Sequence, residues 1–120
     1  MGKYGRRKKL FIKLMSSVSS LPITLSERRK MAKKGIAPDG YNIHHVLPRQ
    51  FSGEDEINNF ALIKITDHEK LHDSLDHILL AQPEGFTRED IPYLKTWTKH
   101  HGGFTLDDIK KGNEVTLYAS

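Results

Sequence analysis

No cysteine occurs anywhere in the 120 residues, and that absence constrains the fold more than any other feature of the chain. Disulfides are excluded, and so is every zinc knuckle built on thiolates, so neither can stand in for a packed apolar core. The length supports one domain with a modest core. Seven histidines remain. A transition-metal site in this chain must therefore be built from imidazole and carboxylate.

Charge is divided unevenly along the chain. Residues 1–34 hold eleven Lys/Arg and one acid, a balance of +10, whereas residues 35–120 hold eight Lys/Arg and fourteen acids, a balance of −6. A basic segment joined to an acidic body suits a partner with a phosphate backbone, although a solvated basic tail would carry the same charge. The opening GRRKKLFIKLMSSVSSLP has the charged front and small residues of a secretory signal, but Lys13 breaks its apolar run and leaves it too short. No stretch approaches the ~20 apolar residues of a membrane span. These features predict a soluble, cytoplasmic protein with no membrane partner.

Leu10, Leu14 and Val18, at i, i+4 and i+8, predict a short basic helix over 6–18, broken by SSVSSLP. A second helix is predicted over 27–34, capped by Ser26 or Thr24 and stopped by Gly35. APDG reads as a turn and YNIHHVL as a strand that Pro48 ends. Residues 49–59 form a polar loop, and FALIKI is a second strand. Thr66 then opens the main helix, with Thr66-x-x-Glu69 as a capping box. Leu71, Leu75, Ile78 and Leu79 form its buried stripe, and Gln82-Pro83 ends it. GFTREDI at 85–91 and GFTLDDI at 103–109 partly repeat each other, each with aspartate three residues after threonine. Such pairs mark helix starts, and they predict a helix around 90–101, a shorter one near 106–111 and a terminal strand from Glu114 to Tyr118.

Within the main helix, HEKLH at 68–72 matches the H-E-x-x-H signature of zinc peptidases, whose glutamate acts as a base. Glu69 already has a structural task in the expected capping box, and nothing marks His100 or His101 as a third ligand. The peptidase reading is the weaker one. Histidines at i and i+4 share a helix face, so His68 and His72 can hold one metal ion together. His44 and His45 are neighbours on a strand and point to opposite faces, so the two cannot normally share an ion. One can bind metal while the other faces a substrate beside it.

The ordered set HHVLP…G…NNFALIKIT…H…H, on strand, loop, strand and helix, resembles the HNH or ββα-metal (His-Me finger) nuclease family. Within that family it is most similar to the histidine-rich type found in nuclease colicins and small phage-borne HNH endonucleases. The resemblance covers roughly residues 41–76. It implies His44, His68 and His72 as metal ligands, His45 as general base, and Asn59, or its neighbour Asn58, as the asparagine that pins the loop and so fixes the base. A neutral imidazole near pH 7 can take a proton from the attacking water. The ion implied is a single divalent metal: Zn, Ni, Mn or Mg. Two features depart from the family pattern: no CxxC pair is present, and Asn42 stands where an acid often precedes the histidine pair. Gly53 and Pro48 read as backbone devices, and His77, His100 and His101 as ordinary surface or core residues.

The expected architecture is α+β: a ββα-metal finger with flanking N-terminal basic helices and C-terminal short helices. Residues 1–35 form the basic arm, 36–82 the nuclease core and 83–120 a helical cap, all in one compact domain. The expected activity is metal-dependent hydrolysis of phosphodiester bonds in DNA, the expected partner being double-stranded DNA in a bacterial or phage-infected cell. Arg49 is placed for the scissile phosphate by position. Arg6, Arg7, Lys8, Lys9, Arg28, Arg29, Lys30, Lys33 and Lys34 would track the backbone. The rival from another class is a non-cleaving, metal-stabilised DNA-binding module, which would have no use for an unligated His45.

Overall fold

Two short strands organise the molecule. The structure is a computed structural model and describes residues 5–109. Its elements run α1 (Arg6–Met15), α2 (Leu25–Lys34), β1 (Tyr41–His45), β2 (Phe60–Lys64), α3 (Ile65–Ala81) and α4 (Ile91–His100). Short 3₁₀ turns lie at Arg49–Phe51, Ile57–Asn59, Arg88–Asp90 and Leu106–Asp108. The expected strand from Glu114 to Tyr118 lies outside the described residues.

β1 and β2 pair antiparallel, with Tyr41 opposite Lys64, His44 opposite Ala61 and His45 opposite Phe60. Side chains alternate between the faces of such a ribbon. Tyr41, Phe60 and Leu62 accordingly join Phe11, Ile12 and Met15 of α1 and Met31 of α2 in one apolar cluster. Ala61 joins Leu75 of α3, Leu94 of α4, Phe86, Val46 and Leu47 in a second. A two-stranded ribbon is marginal alone in water; here helices cover both faces, giving a small α+β domain. Phe104 extends the sheet by one bridge, exchanging backbone hydrogen bonds with Leu62 at 2.7 and 2.8 Å. Among the described residues no helix is long and apolar enough to cross a membrane.

α1 belongs to this core. The inward face is Phe11, Ile12 and Met15, all fully buried, while Leu10 is 46% exposed. Leu10 and Leu14 thus had the right period and the wrong phase, whereas Val18 is buried in the cluster from beyond the helix end. The helix ends at Met15, short of Val18, because the Ser16 and Ser17 hydroxyls bond back to the Lys13 and Leu14 carbonyls at 2.7 and 3.0 Å. α2 starts at Leu25, with Thr24 as its cap: the threonine oxygen accepts from Glu27 N–H at 3.1 Å, and the Glu27 carboxylate accepts from Thr24 N–H at 3.3 Å. Gly35 ends α2 in the left-handed region at φ 66°, where a Cβ would also sit 2.9 Å from the Lys9 carbonyl.

The main helix differs from expectation at its start. β2 runs directly into α3, whose N-cap is Lys64 with no side-chain capping bond. Thr66 therefore already lies inside the helix, and the Thr66–Glu69 box does not form. Leu71 and Leu75 are buried and Ile78 and Leu79 pack partly against the second cluster, as the periodicity predicts. α4 follows the predicted span closely. The second repeat closes only a 3₁₀ turn at Leu106–Asp108, with Thr105 N–H donating to Asp108 at 2.8 Å. In the first repeat Thr87 N–H donates to Asp90 at 2.9 Å.

Candidate metal centre

His44 leaves β1 on the α3 side, opposite Ala61, whose small side chain leaves room for an imidazole. One helical turn separates His68 from His72 at the start of α3. These placements bring His44 Nδ1 to 3.2 Å from His68 Nε2, and His72 Nε2 to 3.0 Å from the same atom. One ligand nitrogen from each of the three histidines lies within 4.8 Å of the others. A tetrahedral ion bound at 2.0–2.1 Å needs nitrogens roughly 3.3 Å apart, so small adjustments suffice and the three imidazoles fit a metal ion. Burial falls from His44, which is buried, through His68 to the exposed His72. The centre is closed towards the core and open to solvent, leaving a side for a further ligand.

Electrostatics favours neutral rings here. Burial, followed by the proximity of His68, His72 and His45, pushes His44 down from 6.5 to about 3. His68 is also lowered, first by burial and then by His72. Neutral imidazole is the form that offers a lone pair to a metal. Behind the centre, the Asn42 amide nitrogen lies 3.4 Å from His68 Nδ1, and a half-turn of the amide would bring its oxygen there instead. With Nε2 turned to an ion, Nδ1 would carry the proton and the amide would present its oxygen. That is the arrangement in which a neighbouring acceptor orients a ligand. Asn42 thus sits against His68, and the hydrogen-bond partner of His45 comes from elsewhere.

His45 takes the opposite face of β1, its ring 5.3 Å from that of Phe60 in an edge-to-face contact. Its Nε2 lies 2.7 Å from Asp55 Oδ1. This bond, aided by the charges of Lys8 and Arg49, holds the Asp55 carboxyl below its usual range. Arg49 Nη1 is 3.6 Å from the same oxygen. Because His45 closes the strand, it still reaches the solvent-facing end of the ribbon. His44, His45, Arg49, His68 and His72 all line one open cleft.

The loop between the strands is tied from within. Buried Asn59 accepts from Leu47 N–H at 2.8 Å and donates to the Leu47 and Glu54 carbonyls at 3.1 and 3.0 Å. Asn58 is exposed, so of the two candidates Asn59 is the one that pins the loop. Gly53 makes the close turn possible, since a Cβ there would fall inside the Leu47 carbonyl.

The basic residues separate into groups. Arg28 is not available to a phosphate: its guanidinium is buried and donates to the carbonyls of Ser16, Val18, Ser19 and Leu21. This corrects its assignment to DNA contact. It ties the chain leaving α1 to α2, a task for which a planar five-donor group is suited. Arg6, Arg7 and Lys8 border a hollow whose remaining wall includes Asp55, next to His45. Lys30 and Lys34 line another hollow with Glu27 and Asp39. Lys9, Arg29 and Lys33 are exposed on their helices. Glu69 is exposed and does not line the histidine cleft, and His77, His100 and His101 lie outside the cluster. His101 instead meets the Trp97 ring at a tilt, centroids 4.7 Å apart, and lies 2.9 Å from its carbonyl through Nδ1. Asp55 is the partner that sequence reasoning missed, and Asn42, noted there only as a departure from the family pattern, turns out to face His68. Asp55 stands in an acidic run, GEDE, with no spacing to single it out. Comparison of the chain with protein-family models, curated proteins and solved structures yields no match in any of the three.

Proposed function

We propose that the protein is a metal-dependent endonuclease of the HNH, ββα-metal type that hydrolyses phosphodiester bonds in DNA. One observation carries this reading: a cluster of three histidines fit for a metal and a fourth, unligated histidine line the same open cleft. A site serving structure alone has no use for the fourth. In this reading β1, β2 and α3 are the finger, and His44, His68 and His72 hold the ion. When bound, the ion neutralises charge growing on the phosphate and on the leaving oxygen. His45 takes the proton of the attacking water as general base. Arg49, exposed at the cleft edge, meets the phosphate that is cut, and Asn59 keeps the loop in place. A donor set of three imidazoles suits Zn or Ni better than Mg or Mn, which prefer oxygen.

The test is cleavage of supercoiled plasmid by the protein supplied in turn with Zn, Ni, Mn and Mg, beside His45→Ala. Nicking or linearisation that needs both metal and His45 supports the proposal. Tight DNA binding without cleavage under any metal would make the protein a binding module.

A further inference from the structure

We propose that Asp55 is a positioning residue that sets the tautomer and orientation of His45, and that Arg7 helps to hold Asp55 in place. The consequence for rate rests on the nuclease reading; the consequence for the ring does not. An ionised carboxylate only accepts hydrogen bonds, so at 2.7 Å the Asp55 oxygen requires the proton to be on His45 Nε2. The lone pair of the neutral ring is then on Nδ1, the nitrogen left free to receive a proton from water.

The mount is braced from two sides. Consecutive carbonyls of the loop are held by different elements: Glu54 O accepts from Asn59 Nδ2 at 3.0 Å, and Asp55 O accepts from Arg7 Nη1 at 3.2 Å. Asn59 is buried beneath the loop, while Arg7 reaches it from the first turn of α1. The helix that carries the N-terminal charge therefore also touches the residue that orients the base. No contact of this kind follows from charge balance alone, which assigns Arg7 to phosphate binding.

The experiment compares zinc-loaded wild type with Asp55→Ala, Asp55→Asn and Arg7→Ala. Three quantities are read: single-turnover cleavage at saturating DNA, zinc affinity, and the ring ¹⁵N and ¹H resonances of His45 at alkaline pH. Asp55→Ala is expected to slow cleavage about 10- to 100-fold. Zinc affinity should hold, and the signal of the Asp55-bonded Nε2 proton of His45 should disappear. Asp55→Asn, whose amide oxygen can still accept, should recover part of the rate. Arg7→Ala should slow cleavage even at saturating DNA. Wild-type turnover with an unchanged His45 proton in Asp55→Ala would overturn the inference. If the wild type cut no DNA, the nuclease reading would fall. The His45 proton would then decide alone, its loss in Asp55→Ala upholding the inference and its persistence sinking it.

Discussion

His44 and His45 are consecutive in β1 yet belong to different sides of it: one ring lies 5.1 Å from His68, the other 5.3 Å from Phe60. The period of two along a strand puts one histidine into the three-histidine cluster and keeps its neighbour out of it. His45→Ala should therefore leave zinc affinity near wild type and lower DNA cleavage by about 10²–10⁴-fold. His44→Ala should lose zinc binding as well. Isothermal titration beside plasmid cleavage checks both, and a His45 variant that loses zinc as badly as the His44 variant would mean that the two roles are exchanged.

Glu69 shares its pentapeptide with two of the clustered histidines but lies exposed, away from the histidine cleft and without a capping bond. Glu69→Gln is expected to keep both nuclease activity and melting temperature. A loss of activity at unchanged melting temperature would restore a catalytic role to this carboxylate.

Among the basic residues, stability and affinity should separate. Arg28→Ala strands several carbonyls that its buried guanidinium now satisfies, so urea unfolding should show a loss of at least about 2 kcal/mol. Lysine should rescue poorly, lacking the planar fork. Neutralising exposed Arg29, Lys30 and Lys33 should move stability by no more than about 0.5 kcal/mol each. It should reduce the log–log salt slope of DNA binding by about 0.9 per lost phosphate contact. An unchanged slope would remove α2 from the DNA interface.

A pH profile of the metal-free protein follows from the lowered histidines. As pH falls through about 6.5, unfolded His44 takes up a proton, whereas folded His44 resists until about 3. Burial also lowers His68. Stability is thus undiminished by these groups above the imidazole range and declines below it, by up to about 1.4 kcal/mol per pH unit for each histidine. Bound zinc should steepen the fall, because acid must also displace the ion. Denaturant midpoints that stay level from neutral to mildly acid pH would show that burial does not hold these rings neutral.

What could be read from the sequence was what depends on near neighbours. The strands YNIHH and FALIK, the i, i+4 pair His68/His72 and the Leu71/Leu75 stripe all follow from local composition and spacing. Thr24 as a cap was one of two local options. The phase of α1 was not legible, because Leu10/Leu14 and Phe11/Met15 have the same spacing and only packing against Phe60 chooses between them: the Phe11 ring lies 5.5 Å from it. Arg28 read as one charge in a basic run, since its burial depends on carbonyls delivered by a turn upstream. The His45–Asp55 pair spans ten residues across a loop, and no periodicity links them. Thr66 read as a cap because its sequence context is right, but a strand that feeds a helix without a break leaves no cap position for it.

Covering both faces of the ribbon has a consequence for metal removal. Small zinc modules unfold when stripped because the ion does the work of a core. Here Phe11, Met15 and Met31 on one side and Leu75 and Leu94 on the other are packed without reference to the histidines. Chelation should accordingly silence the cleft while far-ultraviolet circular dichroism stays native, and returning zinc should restore activity at the speed of ion binding with no refolding lag. Metal loading and folding are then expected to be separable events in this chain.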